Sequence, residues 1–161
     1  MTEFQFITEW RISAPLAEVY DAITHCLDWP TWWRGCKKVE KLVIGDANGV
    51  GSVHRFIWRG RIPYRLTFDM LITHVVPFAL IEGQVSGEVM GIGRWNFFHE
   101  NGVTVVCYEW QVRINKLWMN LIAPLAQPLF RWNHHQVMRL GAEGLAHLLN
   151  SRLESVHTST S

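Results

Sequence analysis

Five side chains of this 161-residue chain could exchange protons with a substrate: His54, Tyr64, Glu82, Tyr108 and His134. Each falls where strand alternation or helical spacing can turn it inward. Acid–base chemistry on a carbonyl compound needs two such groups around one substrate carbon and its oxygen. No spacing along the chain proves that any two of these meet. Tyr64 and His134 are the candidates for a catalytic role. Glu109 follows Tyr108 directly, so alternation sends it to the opposite face of its strand.

The run Asn133-His134-His135 interrupts an otherwise apolar helix face. A buried Asn or His needs hydrogen-bond partners, so this run points to ligand contact or bound water. The competing reading is a core histidine satisfied by the sheet. Neighbouring helical residues point about 100° apart, so the two imidazoles do not share one metal ion on a regular turn. No metal and no cofactor are expected. The chain has no His-Glu-x-x-His, no Gly-x-Ser-x-Gly and no Walker loop. Gly49, Gly51, Gly87, Gly91 and Gly93 lack dinucleotide spacing, and turns and bulges explain them better.

Nine tryptophans supply large apolar walls with polar edges. Trp58, Trp95 and Trp110 fall on strands, while Trp32 and Trp33 fall on a short helix able to cap one end. With Trp95, Tyr108 and Trp110 on a concave face, sheet and helix would not close fully, leaving an apolar cavity. The alternative is that these rings fill the space themselves. Arg55, Arg59, Arg61 and Arg65 surround the Arg59-Gly60-Arg61 turn. They read as a solvated hairpin with charged edges, or as a grip on an anionic head group. The apolar stretch from Trp118 to Phe130 reads as a buried lid or as an exposed lip that docks on a membrane or protein.

The elements that position these groups follow from periodicity. Phe4, Phe6, Thr8, Trp10 and Ile12 face one way, with Gln5, Glu9 and Arg11 opposite, which is a strand with one wet face. Ser13-Ala14-Pro15 resembles a helix start with Ser13 as N-cap, and Leu16, Val19, Tyr20 and Ile23 keep helical spacing. Asp28 to Trp33 reads as a second short helix. Strands follow near 38–44, 52–59, 63–75, 79–88, 91–99 and 103–113, joined by connections short enough to force antiparallel neighbours. Lys116 to Leu153 reads as a long helix that Pro124 and Pro128 should kink or divide. Phe130, His134, Val137, Gly141, Leu145 and Leu148 make its inner stripe. The Ser/Thr-rich residues 154–161 read as a flexible tail.

A net charge of +1 offers no field to recruit nucleic acid. With 48% hydrophobic and 18% charged residues the chain is a folded protein, and its length suits one domain over residues 1–153. No apolar run approaches the roughly 18 residues of a spanning helix, while transient contact with a membrane surface stays compatible. Cys26, Cys36 and Cys107 have no paired spacing and no leader-like segment opens the chain, so a reducing cytoplasm is expected. Oligomeric state is not legible.

Several segments carry a likeness to known proteins: Ala14-Pro15 with Val19-Tyr20, Trp29-Pro30, Trp32-Trp33, Gly49-Val50-Gly51-Ser52 and Gly91-Ile92-Gly93-Arg94-Trp95. Tyr108-Glu109-Trp110 and Phe130 to His134, with Val137-Met138 and Gly141, complete it over residues 4–153. The chain resembles the START-like, or SRPBCC, superfamily of helix-grip proteins, within it the bacterial polyketide cyclase/dehydrase and lipid-transport-like group. The resemblance implies an α+β domain in which a curved seven-stranded antiparallel sheet, two short helices and a long C-terminal helix enclose an apolar cavity. It also implies binding or transport of a hydrophobic or amphipathic small molecule, such as a lipid, isoprenoid or polyketide. Walls would come from Trp58, Trp95, Tyr108, Trp110, Phe130, Val137 and Gly141, with Tyr64, Asn133 and His134 orienting the ligand. A cyclase- or dehydratase-like enzyme using Tyr and His groups in the same cavity is the alternative, and a protein-interaction module working through 118–130 is the second. The shape is shared by carriers and catalysts, so it does not choose among them.

Overall fold

The computed structural model describes residues 2–160. Eight strands form one antiparallel sheet in the order β2-β3-β4-β5-β6-β7-β1-β8. The chain opens with β1 (Glu3–Ile12), α1 (Leu16–Thr24), a 3-10 turn at Cys26–Asp28 and α2 (Trp29–Trp32). A meander follows: β2 (Cys36–Val43), β3 (Val53–Arg59), β4 (Arg65–Val76), β5 (Leu80–Gly87), β6 (Val89–Glu100) and β7 (Val103–Ile114). It ends with α3 (Leu117–Leu148) and β8 (Leu153–Thr160). This is the α+β helix-grip architecture, with α3 and the two short helices against one face of the sheet.

Period-two patterning sets which face is inside. In β1 the side chains of Phe4, Phe6, Thr8, Trp10 and Ile12 are buried. In β7 Thr104, Val106, Tyr108, Trp110 and Val112 are buried. The two strands pair in register, Phe6 opposite Trp110 and Thr8 opposite Tyr108, so their apolar faces merge. The outer face carries ion pairs, among them Arg94 bridging Glu82 at 2.6 Å and Glu109 at 3.0 Å.

The structure departs from expectation at three places. Residues 153–160 are not a flexible tail: they form β8, an eighth strand along β1, with Trp10 opposite Val156 and the Thr8 and Thr158 hydroxyls 3.2 Å apart. Val156, Thr158 and Thr160 are β-branched strand formers, and Leu153 and Val156 pack on the core. Pro124 and Pro128 do not divide α3, which runs unbroken from Leu117 to Leu148. Both prolines are exposed and lie on one side of the helix, so the carbonyls of Asn120 and Pro124, which lose their amide partners, can turn to water. Ser13 does not cap α1; its hydroxyl donates to Glu154 at 2.7 Å, and Pro15 takes the N-cap position.

Candidate functional site

A cavity of about 650 Å³ lies between the inner face of the sheet and α3. Its floor is aromatic. Trp95 and Tyr108 stack with centroids 4.0 Å apart, and Trp110 continues the row toward Phe68, 5.1 Å away. From β3, the inward set His54, Phe56 and Trp58 lines one flank. These strand positions span about 13 Å at 3.3 Å per residue, so the space is elongated. Phe130, Asn133, His134 and Val137 of α3 form the roof. One end is bounded by the 3-10 turn and the turn around Asp46 and Asn48, the other by Gly60, Ile62, Tyr64 and Met119.

Sequence-expected residues meet here with two exceptions. Trp58, Tyr64, Trp95, Tyr108 and Trp110 on the sheet side all line the space, as do Phe130, Asn133, His134 and Val137 on the helix. Gly141 does not. It packs against the indole of Trp33, which a methyl group there would overlap, while Gly144 meets the backbone of Trp32 in the same way. The two glycines therefore seat α3 on α2, and they neither approach the sheet nor make room for a ligand. Glu82 is the second exception: it points to the outer face, where Arg94 holds it, and is withdrawn from the acid–base set.

The polar groups on the walls are few and poorly partnered. The Oδ1 of Asn133 and the Nε2 of His134 are buried without a hydrogen-bond partner among the described residues. Gly60 leaves the space that Asn133 occupies, because any Cβ there would collide with its amide. Burial, and then the proximity of His135, push the His134 imidazole down to about 3, so it is neutral at physiological pH. Burial raises the Tyr108 hydroxyl well above the usual phenol range, keeping it protonated. No described group pairs with that hydroxyl, leaving it as a donor facing the space. The Tyr64 hydroxyl is committed to Glu88 at 3.2 Å, and Glu88 is also paired with Lys116. Burial lowers His54, with Lys41 adding to the effect.

Nucleophilic and metal chemistry find no support in this arrangement. Burial raises Cys26 to about 11 and Cys36 to about 12, so neither is a thiolate near neutrality. No cluster of His, Cys, Asp or Glu among the described residues could hold a metal ion.

Several lining residues escaped sequence reasoning: Trp29, Phe56, Phe68, Met70 and the turn at 45–49. The strand residues had a usable signal. With Trp58 facing inward, period two also turns in Phe56, and pairing of Phe56 with Phe68 extends that parity to Phe68 and Met70 on β4. The turn carried no such signal.

The same architecture occurs in solved structures. The di-domain ARO/CYC BexL of the BE-7585A biosynthetic pathway superposes with a TM-score of 0.73 at 20% identity over 93% of this chain, which spans 51% of BexL. The Zhui aromatase/cyclase from Streptomyces sp. R1128 gives 0.72 at 13% identity, covering 92% of this chain and 94% of that one. A START superfamily protein from Mycobacterium smegmatis gives 0.73 at 11% identity, covering 91% and 97%. No family model matches the chain, and no curated protein matches it in sequence. The chain has the START-like helix-grip fold. No helix among the described residues is long and apolar enough to cross a membrane.

Proposed function

We propose that the protein binds or carries one apolar or amphipathic small molecule in the cavity between sheet and α3. One observation carries the reading: an aromatic-walled space of about 650 Å³ faced by buried polar atoms that no group among the described residues satisfies. Unpaired buried acceptors are costly, and a ligand hydroxyl or bound water relieves that cost. A drug-sized molecule fits such a volume. Lipid, isoprenoid and polyketide all remain within that class. Native mass spectrometry of freshly purified protein, followed by denaturing extraction, tests it. Co-purification of a stoichiometric apolar molecule, or a thermal shift with one from a panel, is the expected result; neither occurring would refute the reading.

A second reading is an enzyme of the cyclase or dehydratase type. Specific support comes from the Tyr108 hydroxyl and the neutral His134 imidazole, two groups facing one space that can hydrogen-bond the oxygens of a substrate, and from the likeness to aromatase/cyclases. Tyr64, held by Glu88, is the weaker acid–base candidate of the original pair. Under this reading Tyr108→Phe and His134→Gln abolish turnover of an aromatic polyketide while its affinity stays nearly unchanged. Turnover surviving both substitutions would rule out these two residues as the acid–base pair, and a parent protein without turnover would leave the binding role alone standing.

A further inference from the structure

The first half of α3 is apolar on two faces. At 100° per residue, Met119, Ala123, Phe130 and Val137 share the inward arc, and Met119 and Ala123 are buried there. Leu117, Leu121, Leu125 and Leu129 form a second ridge at four-residue steps, and with Trp118, Ile122 and Trp132 it occupies an outward arc of about 140°. That ridge faces solvent: Leu117 is 77% exposed, Leu121 74% and Leu125 90%. Over 15 rises of 1.5 Å the stripe is about 22 Å long, and Leu117 to Phe130 contains no charged residue. Apolar stripes of this extent mark an interaction surface.

Charge beside the stripe selects the partner. The β3–β4 loop runs along α3: Tyr64 packs edge-on against Trp118 at 5.5 Å, and Gly60 abuts Asn133. Arg61 in this loop is exposed, and residues 59–65 contain no acid; Arg59 and Arg65 pair across the hairpin and alternate to the outer face of the sheet, opposite to Trp58 and Leu66. Arg131 follows the uncharged run on the helix itself. Neither Arg61 nor Arg131 has an ion-pair partner among the described residues. The nearest acid in the loop's contacts, Glu88, is neutralised by Lys116. A leucine ridge with tryptophan at each end and unpaired arginines beside it has the composition of a helix lying in a bilayer interface, with aromatic rings at headgroup depth. The inner face of the same helix segment closes the cavity through Met119 and Phe130, and the adjoining loop does so through Gly60 and Tyr64.

We propose that the outward face of α3 from Leu117 to Trp132, together with Arg61 and Arg131, docks on the surface of an anionic lipid bilayer. The leucines enter the acyl boundary and the arginines meet the headgroups. Docking does not depend on what the cavity holds.

Vesicle flotation with the full chain tests this, using phosphatidylcholine vesicles with and without phosphatidylglycerol. The protein should float with the anionic vesicles, less so as salt rises. Leu121→Gln with Leu125→Gln should weaken binding by at least about tenfold. Arg61→Gln should weaken it about fivefold. All three positions are exposed, and an unchanged melting temperature would establish that the variants fold. Protein remaining in the aqueous fraction with both vesicle types would overturn the proposal. So would a protein partner, or a second copy of this chain, whose association the leucine changes abolish while vesicles bind nothing. Equal, salt-insensitive binding to both vesicle types would overturn the anionic assignment.

Discussion

The imidazole of His134 lies face to face with the ring of Phe6, their centroids 4.0 Å apart and their planes 15° from parallel. This stack fixes a polar group of α3 onto the apolar face of β1, between helix and sheet. His134 gains packing from it and no hydrogen bond at Nε2. The same contact withdraws the ring from water and makes its protonation unfavourable.

Acid should therefore unfold this protein early. The folded state takes up the His134 proton only near pH 3, whereas an unfolded histidine takes it up near 6.5. The stabilisation is intact above pH 6.5 and is lost as pH falls across that window, because the unfolded chain then binds more protons. Between pH 6.5 and 5 the loss reaches about 2 kcal/mol. His54 and His135 are also lowered, chiefly by burial, and act in the same sense. Urea denaturation at pH 7 and pH 5 measures this. A His134→Gln variant should show a shallower pH dependence; a slope identical to the parent's would contradict the assignment.

Gly141→Ala should destabilise the fold despite alanine's better helix propensity. Propensity alone favours alanine by about 1 kcal/mol. The added methyl, however, overlaps the Trp33 indole, whose Nε1 donates to the Val137 carbonyl at 2.9 Å and so cannot move freely. Overpacking of this kind costs about 1–3 kcal/mol, so the net change is a loss. A denaturation midpoint higher than the parent's would show that α2 yields and that the glycine is not required.

Enlarging Val137 should empty the cavity without unfolding the protein. Its side chain is half-buried on the roof, and Val137→Phe projects a ring into open space. Ligand affinity should fall by about tenfold or more while the melting temperature holds, since displaced ligand contacts of one aromatic ring amount to about 1.5–3 kcal/mol. Titration of any apolar ligand found by extraction supplies the measurement. Unchanged affinity would place the ligand elsewhere.

Much of this arrangement was legible in the residues. β1 and β7 alternate so regularly that their inner faces, and the outward course of Glu109, follow from period two alone. The aromatic floor of Trp95, Tyr108 and Trp110 follows with them. Glu82 was misjudged because a single strand's parity is ambiguous when glycines flank the residue, as Gly83 does here, and only pairing with Arg94 resolves it. Gly141 shares the helical stripe of Phe130 and Val137, yet meets Trp33, because a stripe does not say which neighbour covers each turn. β8 was hidden by composition: Ser and Thr suit a frayed end as well as an edge strand, and only the vacant side of β1 decides between them. The prolines of α3 break local rules at an exposed surface, where water offsets the lost bonds.

The sheet order carries a consequence for how the chain comes off the ribosome. β1 precedes β2 to β6 in synthesis, but its two neighbours, β7 and β8, follow them: Phe6 waits for Trp110 and then for Thr160. At about 5–20 residues per second, roughly a hundred intervening residues take about 5–20 s. Throughout that interval both edges of β1 are unpaired and its row of Phe4, Phe6, Trp10 and Ile12 has no cover. The meander from β2 to β6 can form by local hairpins meanwhile, so closure of the sheet waits on one early strand kept available until β7 and β8 have both been made.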